Sequence, residues 1–267
     1  MYQHHAISTV NERETNQDSF LAVSFTPAFA PAPVHLLAVA DGMGALNRGA
    51  AASAEALRLL ARFVFEKLAV LPALNRPDAD PASPEALGQA LRDSVILVNH
   101  ELRLLAEERG WGMVGTTLAA LLVCGHTALA VNVGDSPVLH YKAAKQEIIR
   151  LSACHSVAGT LRDQGLLTPE QARTHDQRHL LHFYIGQEEL PDPIPLARAE
   201  AEPGDILLVA TDGALSRLED TAIISILSAG PDLPAICRTL LSASRHAGED
   251  DNQTVVAVIQ PQTTNSH

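Results

Sequence analysis

Only Gly125-His126 separates two β-prone runs, residues 116–124 and 127–133, and a third run over 137–141 follows Gly134-Asp135-Ser136. Parallel neighbours need a crossover of a dozen or more residues, so loops this short demand antiparallel pairing. This argues against a doubly wound parallel sheet. Two long amphipathic segments accompany the strands. Ala54, Leu57, Leu60, Ala61, Val64 and Leu68 share one face of a helix that Pro72 is expected to end. Leu87, Leu91, Val95, Val98, Leu102 and Leu105 recur at steps of three and four, which predicts a second helix over 85–109. Four prolines from Leu71 to Pro84, Pro84 included, place a surface loop between the two. Helices with one apolar face need a sheet to cover.

The stretch Val34–Ala40 is apolar except for His35, the length of a buried strand, and it ends on Asp41-Gly42-Met43-Gly44. An isolated Asp-Gly at a strand end is first of all a tight turn. Here the pattern repeats, with Asp135 in VNVGDS, Asp212 in LVATDG, and Glu249-Asp250-Asp251-Asn252 just before a final strand. Strand ends gathered at one end of a sandwich would bring these carboxylates together, where like charges raise one another's pKa. Magnesium or manganese is the natural remedy for an all-oxygen cluster. Two such ions about 3.5–4 Å apart would hold a bridging hydroxide for attack on phosphorus. Arg13 is a candidate phosphate clamp, because its planar fork matches phosphate oxygens. The competing reading is a set of Asp residues in unrelated turns, and Arg13, Asn16 and Asp18 as part of a solvated hairpin loop.

Nineteen basic against thirty-one acidic residues give a net charge of −12, which argues against nucleic acid or an anionic membrane as a partner. A chain so acidic that handles an anion must supply cations locally. Cys124, Cys154 and Cys237 are scattered and form no CxxC pair, so they read as small buried apolar residues in a reducing cytoplasm. The N-terminus lacks a signal-peptide pattern and no run of about eighteen apolar residues occurs, so a cytoplasmic chain off the membrane is expected. Residues 152–190 are polar, weakly periodic and read as an inserted flap. Within it His175, His179 and His182 have a spacing that on a helix could hold zinc or simply form a solvated face. His155 is a candidate general acid or a surface residue.

Six short motifs stand in order along the chain: Arg13-Glu14-Thr15-Asn16-Gln17-Asp18, Asp41-Gly42-Met43-Gly44, Gly115-Thr116-Thr117, Gly134-Asp135-Ser136, Thr211-Asp212-Gly213 and Asp251-Asn252 with Thr254. Together they resemble the metal-dependent protein phosphatases of the 2C type, in their compact bacterial form, from about residue 7 to residue 260. The resemblance implies an α+β fold: a four-layer α-β-β-α sandwich with two central antiparallel β-sheets flanked by helix pairs, plus the flap, all in a single domain over 1–267. It also implies roles. Asp41 would bridge two metals, Gly42 would offer its carbonyl, Asp212 and Asp251 would complete the first metal's shell, and Asp18 would support it. Asp135 with Asp212 would hold a third ion, and Arg13 would bind the substrate phosphate. The activity implied is hydrolysis of phosphoserine and phosphothreonine on proteins by a metal-bridging hydroxide, with two to three Mn or Mg ions. The partners implied are phosphorylated proteins, a serine/threonine kinase or its substrates, and the chain is expected to be a monomer. An inactive phosphoprotein-binding regulator and a small-phosphate hydrolase are the alternatives. Ala45, Ala50, Pro137 and Cys154 depart from the family pattern, and none of them is a proposed ligand.

Overall fold

A computed structural model describes residues 2–27, 30, 32–45, 48–74 and 82–259. The chain runs β1 (Gln3–Thr9), β2 (Asp18–Phe25), β3 (Val34–Met43), α1 (Arg48–Leu74), α2 (Pro84–Glu108), β4 (Gly115–Thr116), β5 (Leu118–Cys124), β6 (Thr127–Val133), β7 (Val138–Lys142) and β8 (Glu147–Arg150). It continues through α3 (Val157–Asp163), α4 (Pro169–Thr174), β9 (Leu196–Glu200), β10 (Ile206–Ala210), α5 (Asp212–Leu215), α6 (Asp220–Leu227), α7 (Leu233–His246) and β11 (Gln253–Ile259). One sheet has the order β1-β11-β10-β7-β8 and the other β2-β3-β5-β6-β9, with β4 paired to β3. Every pairing is antiparallel, as the short loop between β5 and β6 requires, but β7 is not a neighbour of β6: the Gly134-Asp135-Ser136 turn carries the chain into the other sheet, where β7 pairs with β10 and β8.

The pleat sorts the apolar residues into three layers. On β3, Leu36, Ala38 and Ala40 join the cluster under α1 and α2, whereas Leu37 and Val39 point between the sheets. On β10, Ile206, Leu208 and Ala210 meet the helices α5 to α7 while Leu207 and Val209 enter the same middle layer. Strands buried on both faces cannot alternate in polarity, which explains why 34–40 and 206–210 are continuous apolar runs. The product is the α-β-β-α sandwich.

Helix α1 buries Leu57, Leu60, Val64 and Leu68 as its spacing predicts, but Ala54 is exposed and the helix runs on to Leu74, past Pro72. A proline removes a single donor, and the preceding turns, packed on β3 and α2, hold the helix in place. Helix α2 begins where the Ser83 hydroxyl accepts the Ala86 N–H at 3.2 Å, and it buries Leu87, Leu91, Val95, Val98 and Leu102. The centre of the proline-rich loop between them, 75–81, lies outside the described residues. Of the three cysteines, only Cys237 is buried; Cys124 and Cys154 are partly covered. Among the described residues no helix is long and apolar enough to cross a membrane.

The N-terminal strands correct a local reading. β1 and β2 are no hairpin, because β1 pairs with β11 in one sheet and β2 with β3 in the other. The segment 10–17 therefore crosses from sheet to sheet over one end of the sandwich.

Candidate functional site

Both sheets end at a cleft of about 860 Å³ lined by Arg13, Asp41, Gly42, Thr117, Asp135, His179, Asp212 and Asp251, among others. Asp41 is not in a turn beyond its strand. β3 extends to Met43, with Asp41 opposite Asp18 on β2 and Gly42 opposite Thr116 on β4. The Asp41 backbone is locked from both sides: its N–H donates to the Thr117 hydroxyl at 2.9 Å, and its carbonyl accepts from the Thr116 hydroxyl and the Thr117 N–H, both at 2.8 Å. Its carboxylate accepts no hydrogen bond among the described residues. Gly42 has no room for a side chain, since a Cβ there would run into the Gly49 carbonyl at the start of α1. Asp135 sits on the turn that carries the chain from β6 in one sheet to β7 in the other. Asp212 opens α5 directly after β10 and accepts the Gly213 N–H at 2.7 Å, and Asp251 precedes β11.

Asp18 lies beneath these groups, 9% exposed, where one oxygen accepts from the Thr211 and Thr254 hydroxyls at 2.8 and 2.7 Å and the other has no hydrogen-bond partner among the described residues. Burial pushes its carboxyl up to about 7 against the pull of those two hydrogen bonds. Burial, then the carboxylates of Asp18, Asp212, Asp135 and Asp251, hold Asp41 well above the usual carboxylate range. Asp135 is raised well above it as well, by burial and by Asp212 and Asp251, against a backbone hydrogen bond. Crowded acids with an oxygen left over are the signature of a place for cations.

The donor set fits that place. It is all oxygen, and among the described residues no three His, Cys, Asp or Glu side chains are grouped as ligands of one ion. A hard ion such as Mg²⁺ asks for no more than one or two carboxylates and keeps several waters. Zinc on the flap is a different matter. His175 ends α4 in an extended conformation, φ −67° and ψ 139°, so His175, His179 and His182 do not share a helical face. His179 alone reaches the cleft, its Nδ1 lying 3.4 Å from an Asp212 oxygen. His155 is turned away from acid chemistry: its Nδ1 accepts the Gly134 N–H at 3.1 Å and its ring packs edge-on to Phe183. It braces the turn that carries Asp135. Ser136 is buried on the Thr117 hydroxyl at 2.7 Å.

Arg13 faces the cleft half-exposed, its Nε 3.2 Å from Asp251 and its Nη2 3.2 Å from Asp250. Two residues whose roles the spacing did not disclose hold this corner together. Asn252 accepts the Gln17 N–H at 2.8 Å and donates to the Val10 carbonyl at 2.9 Å, tying the sheet-crossing segment to β11. Glu249 is buried, and one of its oxygens accepts the N–H groups of Asp250 and Asp251 at 3.1 and 3.2 Å. Its other oxygen accepts from Ser216 and Arg217 at 3.1 and 3.4 Å.

Known proteins share this architecture. Over 97% of the chain and 99% of its counterpart, the structure superimposes on the serine/threonine phosphatase of S. agalactiae with a TM-score of 0.78 and 25% identity. The catalytic domain of the phosphatase PstP, solved in complex with two manganese ions, matches 97% of each chain with a TM-score of 0.72 and 26% identity. In sequence, PstP of Mycobacterium tuberculosis is 31% identical over 248 residues, 91% of this chain and 42% of that protein. Protein phosphatase PhpP of Streptococcus pneumoniae is 29% identical over 160 residues, 60% of this chain. The matched regions thus span 64% of PhpP and less than half of PstP. Residues 8–245 match the model of protein phosphatase 2C, and with so much of its length accounted for the chain belongs to that family.

Proposed function

We propose that this chain hydrolyses phosphoserine and phosphothreonine esters on proteins, with two to three manganese or magnesium ions as cofactors. The observation that carries the proposal is the meeting of Asp41, Asp135, Asp212 and Asp251, drawn from both sheets and the turn between them, in one cleft with Arg13. Asp41, the Gly42 carbonyl, Asp212 and Asp251 would hold two ions, Asp135 with Asp212 a third, and Asp18 would support them from below. When bound, such ions polarise a phosphoryl oxygen and lower the pKa of water. The chain's own residues do the rest. Thr116 and Thr117 fix the backbone of Asp41, and Glu249 fixes that of Asp251. Arg13 has five N–H donors, enough to keep an acidic neighbour and still present an edge to phosphate. The phosphoprotein substrates, a kinase or its targets, the monomeric state, the single domain over 1–267 and the cytoplasmic location belong to the same proposal.

Hydrolysis of p-nitrophenyl phosphate with and without manganese tests it, with Asp41→Ala and Asp212→Ala beside the parent chain. Turnover that requires the ion and disappears in both variants is expected. A folded parent chain that is inert in every divalent ion overturns the proposal and leaves phosphoprotein binding as its role.

A further inference from the structure

A second cavity, of about 440 Å³, lies between the flap and the end of the sandwich and shares Asp135, His179 and Asp212 with the carboxylate cleft. Four arginines line it, Arg150, Arg162, Arg173 and Arg178. Three of them meet carboxylates: Arg150 with Asp220 at 2.6 Å, Arg162 with Asp163 at 2.7 Å and Arg173 with Glu219 at 3.5 Å. Arg178 meets none among the described residues. Among the described residues its guanidinium makes one hydrogen bond, from Nη1 to the His175 carbonyl at 3.4 Å. Glu219 and Asp220 stand largely exposed at the start of α6, where such pairs contribute little and exchange readily for another anion. Ions held by Asp135 and Asp212 would cancel the acids at the shared mouth. The remaining wall carries four guanidinium groups against Asp163 and Asp220.

By itself this lining is balanced, four arginines against Asp135, Asp163, Asp212 and Asp220, in a chain of net charge −12, and ions on Asp135 and Asp212 would leave it positive. Guanidinium forks match phosphate and carboxylate oxygens, so an anion is the occupant they select. The volume suits one side chain and its charged head. We propose that this cavity is a second anion subsite, which takes a phosphate or carboxylate carried by a residue flanking the scissile phosphoresidue. Acidic or multiply phosphorylated segments are then the preferred substrates, and Arg178 is the group that selects them. This inference rests on the phosphatase reading above.

Three peptides with one phosphothreonine, flanked by alanines, by glutamates or by a second phosphoresidue, test it in the presence of manganese, with p-nitrophenyl phosphate as a further substrate. The expected kcat/KM for the anionic peptides exceeds that for the alanine peptide by about tenfold, the effect of one charge-assisted hydrogen bond. That ratio should fall to near one in Arg178→Ala and shrink with added salt. A larger ratio for the second phosphate than for glutamate identifies phosphate as the natural occupant, and the reverse identifies carboxylate. Equal kcat/KM on all three peptides, or a preference that survives Arg178→Ala, overturns the subsite while turnover of p-nitrophenyl phosphate keeps the phosphatase reading. No turnover of any substrate overturns both.

Discussion

Glu249 is not among the residues lining the cleft, yet its carboxylate decides where Asp251 stands. With one oxygen on the Asp250 and Asp251 amides and the other on Ser216 and Arg217, it pins the approach to β11 against the end of α5. Glu249→Ala should weaken manganese binding about tenfold and lower stability by about 2 kcal/mol, since four donors lose a buried acceptor. Glu249→Gln, which keeps the shape and one good acceptor, should lose less of both. Calorimetric titration with Mn²⁺ and thermal melts of the three proteins measure this. Asp41, Asp135 and Asp212 were visible in the sequence because each closes an apolar run, and rigid strands project such ends into solvent. The work of Glu249 was not, because Ser216 and Arg217 lie 33 and 32 residues away and no local spacing records the contact. The bracing role of His155, which the sequence offered as a candidate general acid or a surface residue, was hidden for the same reason, its partner being the amide of Gly134.

Strand β3 and helix α1 touch where Gly42 faces Gly49, and neither glycine can be given a side chain without moving backbone. Gly42→Ala drives a methyl group into the Gly49 carbonyl and close to that of Gln17. The expected outcome is a loss of several kcal/mol, as for other overpacked cores, together with loss of manganese binding, because the displaced segment also carries Asp41. Chemical denaturation and metal titration of that variant test it. At this scale the elements with one buried face were legible. The periodicity of α2 survives in the structure from Leu87 to Leu102, with Leu105 only partly buried, since packing and helical propensity point the same way. Strand partners were less so: β1 pairs with β11 and β2 with β3, the first of these contacts spanning nearly the whole chain. Helix α4 stops at Thr174 despite histidines spaced to continue it, because His175 takes up an extended backbone.

The whole molecule holds its charge unevenly, and its stability should follow pH accordingly. Asp18, pushed up to about 7, and Asp41 and Asp135, both raised, bind protons that an unfolded carboxylate has released by about pH 4. Between those limits the native state carries more protons than the unfolded one, so stability falls as pH rises. Metal-free protein should therefore melt higher at pH 5 than at pH 8, and saturating manganese should raise the pH 8 value most, by occupying the carboxylates in their ionised form. Melting curves at both pH values, with and without the ion, check the sign. The four aspartates of the cleft stand on β3, just after β10, just before β11, and on the turn that bridges the two sheets. Between those sheets lies the middle apolar layer, to which Leu37, Val39, Leu121, Val209 and Val256 belong. The sandwich is thus a caliper whose jaws are the aspartate-bearing strand ends, and the girth of that layer is the setting at which it is locked.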